Sequence, residues 1–364
     1  MHTQLEKRKK LGNLRSLCTV PTMIDFASND YLGLARSACL HAKVLEKLKH
    51  SQLNRPLFGS TGSRLLTGNS SYTEDLEAKI AHFHGFEAGL LFNSGYMANV
   101  GLIASCIKSS DTLFFDGHIH ASMQAGIRLS KATSFAFRHN DIKHLETRLK
   151  KNAGKAPCYV LIESVYATDG SIAPLIEIAA LCSRYAARLI VDEAHAVGLF
   201  GKEGKGFVAE YNLQKQVFAQ VTTFGKALGT LGAIVLTKSW LKEYLVNFAS
   251  SFIYTTALPL CNQFAISTAY DFLPLLDIER AQLFSHIKSF QNLCSSKTQI
   301  QPFYVKGNEA AHSLQRKLAE AGFDVRALVS PTVRRGYEIL RISLHAFNTN
   351  EEVYTLQEIL KSHA

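Results

Sequence analysis

The sequence predicts an α/β fold, with a seven-stranded, mostly parallel sheet in a large domain and a smaller α+β C-terminal domain. Several short runs are continuously apolar, which is typical of strands covered by helices on both faces. Helical stretches with short connections separate several of these runs, and this alternation favours parallel pairing. The seven predicted strands are residues 89–93, 112–116, 134–137, 159–163, 188–192, 220–223 and 233–237.

Helices are predicted where apolar residues recur at helical spacing, as in residues 72–84 and 174–185. Near Pro259 the pattern changes to a long helical region, and a βαβ-like tail follows it. The remaining predicted elements are a helical region at 260–294, strands at 301–305 and 340–344, and a helix at 308–321 that ends near Gly322.

A chain of 364 residues is long enough for one large and one small domain with a substantial core. The change of pattern after Pro259 predicts the domain boundary. We therefore expect an N-terminal segment (1–35), a large ligand-binding domain (36–275) and a small C-terminal domain (276–364).

The charge of the chain favours anionic ligands. Its 40 Lys and Arg against 30 Asp and Glu give a formal charge of +10. Such an excess attracts polyanions, among them nucleic acid, a phosphorylated cofactor, coenzyme A or an acidic carrier protein. The basic run at residues 7–10 fits a solvated helix face as well as a binding surface. No recognised nucleic-acid motif accompanies it, so a nucleic-acid partner is not expected.

Several other classes of protein are disfavoured. No stretch approaches the ~20 apolar residues of a membrane span, and residues 1–10 lack the apolar core of a signal peptide. Scattered cysteines without a CxxC pair indicate a reducing compartment, so we expect a cytoplasmic protein. His118 and His120 have no nearby ligand pair, so no metal is expected. The glycines at 198–206 match no phosphate-loop spacing, which disfavours a nucleotide enzyme.

Chemically useful side chains follow the predicted strands, at the edge where ligands gather in open α/β sheets. They offer an acid, imidazoles, hydroxyls, a glycine that opens a helix, and Lys226 in a tight turn of small residues. Pyridoxal phosphate needs all of these groups. Its aldehyde requires a lysine, its pyridine nitrogen a carboxylate such as Asp192, and its phosphate suits a helix N-terminus.

The chain resembles the α-oxoamine synthases, a branch of the fold-type-I pyridoxal-phosphate-dependent transferases, from about residue 25 to its C-terminus. The resemblance implies a pyridoxal-phosphate-dependent acyltransferase. Seven motifs carry it, in the order of that family: residues 28–34, 59–68, 92–96, 120–122, 163–166, 191–195 and 223–226.

The resemblance implies a role for each residue around the cofactor ring. Lys226 would form the Schiff base with the cofactor and then remove the α-proton of the substrate. Asp192 would pair with the pyridine nitrogen, and His195 would bind the phenolic oxygen. His120 would stack on the face of the ring.

The resemblance also implies the residues that hold the cofactor phosphate. Thr223 would add its hydroxyl to backbone N–H groups that open a helix, at Ser94, Gly95 and Tyr96. Thr255 or Thr256 resembles a segment that reaches the phosphate of the neighbouring subunit, which implies a homodimer with shared active sites. Both threonines could instead cap the helix that follows them.

Three residues are implied in substrate binding, since a guanidinium matches a carboxylate in bidentate fashion. Arg341 aligns with the arginine that binds the α-carboxylate of the amino acid, and Arg15 aligns more loosely with an N-terminal arginine of the family. Asn29 is a candidate substrate contact, although Ser-Asn-Asp is also typical of a plain turn.

The implied reaction is a decarboxylative condensation of an amino acid with an acyl thioester. L-alanine is the first candidate, with glycine and serine as alternatives, and the acyl carrier is either coenzyme A or acyl carrier protein. Two departures from the family stand out. Ala167 replaces a serine, and Val329 replaces an arginine expected at the acyl-chain end of the site.

Two readings from other classes stay open. A pyridoxal-phosphate-dependent lyase or aminotransferase would share Asp192 and Lys226 but need not carry the 120–122 motif or the motif around Arg64. A non-catalytic regulator built on the same fold would be expected to carry an added DNA-binding domain, for which the chain has no spare residues.

Overall fold

The computed structural model describes residues 1–17, 19, 22–53, 55–152 and 154–363, and the chain forms two compact units. The large unit comprises Gly33–Tyr166 and Ile172–Asp277, and the small unit comprises Met1–Leu32, Ala167–Ser171 and Ile278–Ala364. None of the helices in these described ranges is long and apolar enough to cross a membrane.

The strands and helices follow one another along the chain in the order expected of an α/β protein. The strands are β1 (Ile24–Asp25), β2 (Ala88–Phe92), β3 (Thr112–Asp116), β4 (Thr133–Phe137), β5 (Cys158–Glu163), β6 (Ala187–Asp192), β7 (Val217–Thr223), β8 (Ala233–Thr237), β9 (Ile300–Tyr304), β10 (Phe323–Asp324), β11 (Arg326–Leu328) and β12 (Ile339–Ser343). The α-helices are α1 (His2–Lys10), α2 (Ala38–Lys49), α3 (Ser71–His84), α4 (Gly95–Cys106), α5 (Ala121–Ser130), α6 (Ile142–Asn152), α7 (Leu175–Arg184), α8 (Phe207–Glu210), α9 (Ser239–Phe248), α10 (Ser250–Ile253), α11 (Leu260–Phe272), α12 (Asp277–Phe290), α13 (Asn308–Glu320) and α14 (Asn350–Lys361).

The large unit is built on a sheet of seven strands within the described residues, in the order β2-β8-β7-β6-β5-β3-β4. Strands β3 to β7 are parallel, whereas β8 is antiparallel to both of its neighbours. The connection between β7 and β8 is too short for a crossover, so β8 must turn back beside β7. The predicted mostly parallel, seven-stranded sheet is confirmed.

The core of the large unit lies where α4 and α5 cover the sheet. Leu102 and Ile103 of α4, Met123 of α5 and Val221 of β7 are fully buried in one apolar cluster. Full burial of one such side chain stabilises the fold by about 1.5–3 kcal/mol. This packing fixes α4 and α5 against the strands, and so fixes the residues at the ends of those strands.

The predicted helical region at 260–294 is divided in the structure. Helix α11 ends at Phe272, a 3₁₀ turn spans Leu273–Leu275, and α12 begins at Asp277. Pro274 explains the division, because proline has no amide hydrogen and its ring clashes with the preceding helical turn.

The small unit carries a three-stranded sheet in the order β11-β12-β9, and a separate parallel pair of β1 with β10. Strand β12 is antiparallel to both β9 and β11. The βαβ-like interpretation of the tail was therefore wrong in its pairing. The sequence gives little sign of β11, because this strand is only three residues long. It runs antiparallel to β12.

Candidate functional site

Lys226 lies in the tight connection that follows β7. Its Nζ donates to Thr223 Oγ1 at 3.3 Å, and its carbonyl accepts from Gly229 N at 2.8 Å. Gly229 has a positive φ of 64°, and a side chain there would collide with the backbone of Ala35. Glycine is therefore required for this turn, which presents the half-buried ε-amino group beside the Thr223 hydroxyl.

Asp192 ends β6, the strand beside β7, and pairs in register with Val221. The residue is only 4% exposed. Its Oδ1 accepts from Ala194 N at 2.9 Å, and its Oδ2 accepts from Asn99 Nδ2 at 2.7 Å. Donors on both oxygens hold the carboxyl group in one orientation. The strand pairing thus places a buried carboxyl group near the turn that carries Lys226.

His120 caps the N-terminus of α5 and belongs to the same group. Its Nδ1 accepts from Ser122 N at 3.2 Å and lies 2.8 Å from Ser122 Oγ. Partial burial lowers the pKa of His120 below its ordinary value; the charge of Asp192 opposes this shift and that of Lys226 adds to it. The residue remains exposed overall, which leaves part of it open to a ligand.

Asn99 and Ser122 connect these groups, although neither was a predicted site residue. Asn99 Nδ2 also donates to Ser122 Oγ at 3.0 Å, and both side chains are buried. A signal for Asn99 is present in the sequence. It is a polar residue in the apolar helix α4, one turn after Gly95 and therefore on the same helix face.

The N-terminus of α4 offers a site for an anion. Ser94 caps the helix, and its side chain accepts from Met97 N at 3.3 Å. A side chain at Gly95 would collide with the methyl group of Thr223, so glycine lets Thr223 pack against the helix end. Across the described residues, the amides of Gly95 and Tyr96 have no protein acceptor. Such free amides and the helix dipole favour a bound anion.

The turn after β6 holds His195 and Glu193, both buried. Glu193 Oε1 accepts from the amides of Phe207 and Val208, at 2.9 and 3.0 Å. Burial raises the pKa of Glu193 to about 8, against the effect of these two amides. A side chain at Gly206 would overlap the Glu193 carboxylate. The glycine-rich loop at 198–206 is thus fastened to the turn after β6 by Glu193.

Thr255 and Thr256 contact a residue just before α4. Asn93 Nδ2 donates to Thr255 Oγ1 at 3.3 Å and to the carbonyl of Thr256 at 2.7 Å. The alternative that they cap the next helix is wrong, because the residue that precedes α11 is Pro259 and no side chain caps that helix. Thr256 is exposed.

In the small unit, Arg341 and Asn29 are hydrogen-bonded to each other. Arg341 Nη2 donates to Asn29 Oδ1 at 3.1 Å, and Nε donates to the carbonyl of Ala167 at 2.7 Å. Nη1 donates to Ser343 Oγ at 2.8 Å. The hydroxyl of Tyr31, which sequence reasoning did not single out, donates to Asn29 Oδ1 at 2.9 Å. These residues form a polar group around the guanidinium of Arg341.

Arg15 occupies a different environment in the small unit. It is exposed, and its Nη2 donates to Thr332 Oγ1 at 3.3 Å. Thr332 belongs to the segment 329–333 in which Val329 departs from the family pattern. The structure therefore places Arg15 beside that segment.

Comparisons with known proteins identify the family of the chain. A model of the aminotransferase class I and II family matches residues 21–360, and the chain belongs to that family. It is 38% identical to 8-amino-7-oxononanoate synthase of Emericella nidulans, over 98% of this chain and 93% of the relative.

Two solved structures are similar over most of their length. One is 8-amino-7-oxononanoate synthase from Francisella tularensis, with 30% identity and a TM-score of 0.80, covering 94% of this chain and 97% of that one. The other is serine palmitoyltransferase from S. paucimobilis, bound to an aldimine of pyridoxal phosphate and myriocin. It has 25% identity and a TM-score of 0.89, and covers 99% of this chain and 96% of that one.

The resemblance to the α-oxoamine synthases, the fold class and the predicted cofactor, pyridoxal phosphate, are confirmed by these relatives. The protein is a pyridoxal-phosphate-dependent enzyme, an acyltransferase similar to 8-amino-7-oxononanoate synthase. The residues present fit the cofactor. The large unit supplies an amine, a buried carboxylate, an exposed imidazole and a helix end shaped by Gly95.

Proposed function

We propose that the protein condenses L-alanine with a pimeloyl thioester, with loss of carbon dioxide, to give 8-amino-7-oxononanoate for biotin biosynthesis. The similarity to relatives of that name, 38% over 98% of the chain, is the observation that carries the proposal. The charge of +10 suits either anionic acyl carrier, coenzyme A or acyl carrier protein.

When bound, pyridoxal phosphate supplies an aldehyde for the substrate amine and a ring that withdraws electrons from the α-carbon. Lys226 Nζ would hold the aldehyde and would afterwards accept the α-proton of the substrate. The Asp192 carboxylate would accept from the pyridine nitrogen and keep it protonated. His195 would donate to the phenolic oxygen, and His120 would pack on the ring face.

The N-terminus of α4 would hold the phosphate of the cofactor. Gly95 and Tyr96 would donate their backbone N–H groups, Ser94 fixes the first turn as its cap, and Thr223 would donate its hydroxyl. Because Gly95 carries no side chain, the Thr223 hydroxyl and the free amides serve one anion.

The substrate carboxylates are assigned to the small unit. Arg341 binds the α-carboxylate of the amino acid, with Asn29 as a second donor through its Nδ2, since its Oδ1 already accepts from Arg341 and Tyr31. Arg15 binds the acyl substrate, where its contact with Thr332 places a guanidinium beside the segment that carries Val329.

We further propose a homodimer with shared active sites, in which Thr255 and Thr256 reach the phosphate bound by the partner subunit. The exposure of Thr256 supports this assignment. Nearby, Tyr254 is 86% exposed and Leu66 is 80% exposed, and apolar side chains of this size favour burial against a second chain.

The purified enzyme, incubated with alanine, glycine or serine and a set of acyl thioesters, tests the proposal. We expect carbon dioxide release and formation of the nine-carbon amino ketone 8-amino-7-oxononanoate from alanine and pimeloyl thioester, identified by mass spectrometry. Lys226→Ala should abolish both the product and the visible absorbance of the bound cofactor, whereas the exposed control Lys215→Ala should retain both. Turnover restricted to glycine with a short acyl chain would sink the biotin-pathway assignment.

The same experiment separates the alternatives. Serine palmitoyltransferase activity is favoured by one observation, the TM-score of 0.89 against that enzyme, and predicts turnover of serine with a long acyl thioester. Glycine C-acetyltransferase (2-amino-3-oxobutyrate ligase) or 5-aminolevulinate synthase activity predicts turnover of glycine with acetyl or succinyl thioester.

A further inference from the structure

Asn99 makes an arrangement of hydrogen bonds that stability alone does not explain. The residue is 1% exposed, and its Nδ2 donates to both Asp192 Oδ2 and Ser122 Oγ. Its Oδ1 is also buried, and nothing in the described part of the chain donates to it. An unsatisfied buried carbonyl costs free energy, so each such group in a native structure calls for an explanation.

The orientation of this amide is determined by its neighbours. Exchanging its oxygen and nitrogen would bring Oδ1 against the Asp192 carboxylate, and two acceptors would then repel each other. Both N–H groups of Asn99 are therefore committed, one to Asp192 and one to Ser122. In this orientation Oδ1 has no hydrogen-bond donor among the described residues.

This orientation gives the hydrogen bonds a direction that ends at His120. Ser122 Oγ accepts from Asn99, so its own hydroxyl hydrogen is free to point to His120 Nδ1, 2.8 Å away. The backbone N–H of Ser122 donates to the same nitrogen. With two donors directed at it, Nδ1 is an acceptor, and the proton of the neutral ring belongs on Nε2.

We propose that Asn99 is a positioning residue that holds the Asp192 carboxylate and, through Ser122, holds His120 as a neutral ring with its proton on Nε2. The inference rests on the proposed function for its consequence. A cofactor pyridine ring kept protonated by Asp192 would attract the face of a neutral imidazole but would repel an imidazolium. Asn99 therefore links the orientation of the Asp192 carboxylate to the protonation of His120.

The charged groups that face His120 come from two other elements. Asp192 at the end of β6 favours the charged imidazole, whereas Lys226 in the turn after β7 favours the neutral one. Partial burial also favours the neutral form. The hydrogen bonds from Ser122 act in the same direction and, unlike the charges, also decide which nitrogen carries the proton.

NMR of the full-length protein with ¹⁵N-labelled histidine tests the proposal, with pyridoxal phosphate bound and after its removal. The His120 signals are assigned by their loss in His120→Gln. The wild-type protein should show a single neutral tautomer, with the proton on Nε2, at neutral pH. Ser122→Ala leaves only the longer backbone contact to Nδ1, 3.2 Å, and Asn99→Leu frees Ser122 Oγ to accept from the ring. Each variant should therefore give a mixture of tautomers, and kcat should fall roughly tenfold with little change in KM for the amino acid.

Ser105→Ala is the matched control. Ser105 lies on the same helix, and its hydroxyl donates to the carbonyl of Gly101 at 2.6 Å, outside the Asn99 group. This variant should keep the wild-type His120 signals and rate. If Ser122→Ala and Asn99→Leu also keep the single wild-type tautomer, the inference is wrong, whatever their rates. Should Asn99→Leu fail to fold, Ser122→Ala decides alone.

The NMR readout also separates this inference from the proposed function. If the tautomers mix in the variants while the wild-type protein does not condense alanine with pimeloyl thioester, the inference stands and the proposed function fails. If product forms but Ser122→Ala does not change the tautomer, the proposed function stands and the inference fails.

Discussion

At the scale of single residues, Arg341 is held more firmly than a typical surface arginine. A guanidinium has five N–H groups. Within the small unit, Arg341 donates to Ala167, Ser343, Asn29 and Tyr31. Its side chain is therefore ordered before a substrate arrives, which reduces the entropy lost on binding.

Arg341→Lys should weaken the binding of L-alanine roughly 10–100-fold, because it removes charge-assisted hydrogen bonds of about 1.5–3 kcal/mol that a lysine cannot reproduce in this geometry. The dissociation constant follows from the change in cofactor absorbance on titration with L-alanine. Arg326→Lys is the control. Arg326 lies opposite Arg341 in register on β11 and pairs with Asp324 at 2.9 Å. An equal loss in both variants would contradict the assignment.

The sequence singled out residues that meet in the structure, but it did not indicate the hydrogen bonds that connect them. Lys226, Asp192 and His120 were singled out from motifs, and the structure brings them together. Asn99 and Tyr31 were missed, because their roles depend on partners far away along the chain. Asn99 is 93 positions from Asp192, and Tyr31 is 310 positions from Arg341. No local pattern records which buried polar groups will meet at such separations.

At the scale of elements, Glu193 joins the turn after β6 to α8. Its carboxyl group is fully buried and caps α8 by accepting from two of its amides. Gly206 leaves the space that this carboxyl fills. The glycine-rich loop therefore serves packing, which agrees with its mismatch to the phosphate-loop patterns.

Glu193 should make the stability of the protein depend on pH. Its pKa is raised from 4.5 to about 8, so over this interval the unfolded chain releases a proton that the folded chain keeps. The free energy of unfolding should therefore fall as pH rises through this window. Glu193→Gln, which mimics the protonated acid, should flatten the decline, as measured by urea denaturation at several pH values.

The exposed Glu210 on the same short helix α8 provides the control. Glu210→Gln should leave the pH dependence as in the wild type. A decline of unchanged slope in Glu193→Gln would show that another group titrates in this interval.

For the strands of the large sheet, their positions were easier to predict than the direction in which each one runs. Continuous apolar runs indicated the strands of the large sheet, but they carry no information on whether β8 runs parallel to β7. The short connection after β7 determines that direction. Likewise, helical periodicity extended across Pro274, and the missing amide of that residue was the signal of a break.

At the scale of the whole molecule, the proposed shared site makes a sharp prediction about mixed dimers. Lys226→Ala and a Thr255→Val, Thr256→Val double variant should each be impaired alone. If the threonines serve the partner subunit, a mixed dimer has one site with both defects and one site with neither. Mixing the two variants after reversible dissociation should therefore restore activity in about one site in four.

If the threonines serve their own subunit, each site of a mixed dimer carries one defect and mixing restores nothing. Analytical ultracentrifugation of the wild type, whose chain mass is 40.3 kDa, provides the accompanying check, since a dimer should have about twice that mass. A strictly monomeric protein would exclude the shared-site arrangement. The division of the chain into an N-terminal segment and two domains also stays a prediction.

The order of strands in the large sheet has a consequence for how the protein is made. Strand β2 lies at one end of the sheet and pairs with β8, from Ala88 opposite Thr237 to Phe92 opposite Ala233. During synthesis, β2 and the helix α4 that follows it leave the ribosome long before β8 exists. Thr223, which packs against Gly95, also emerges late. The helix end at α4 can therefore meet Thr223 only once most of the large unit has been translated. We expect a cofactor whose phosphate binds there to enter a nearly completed chain rather than to guide its early folding.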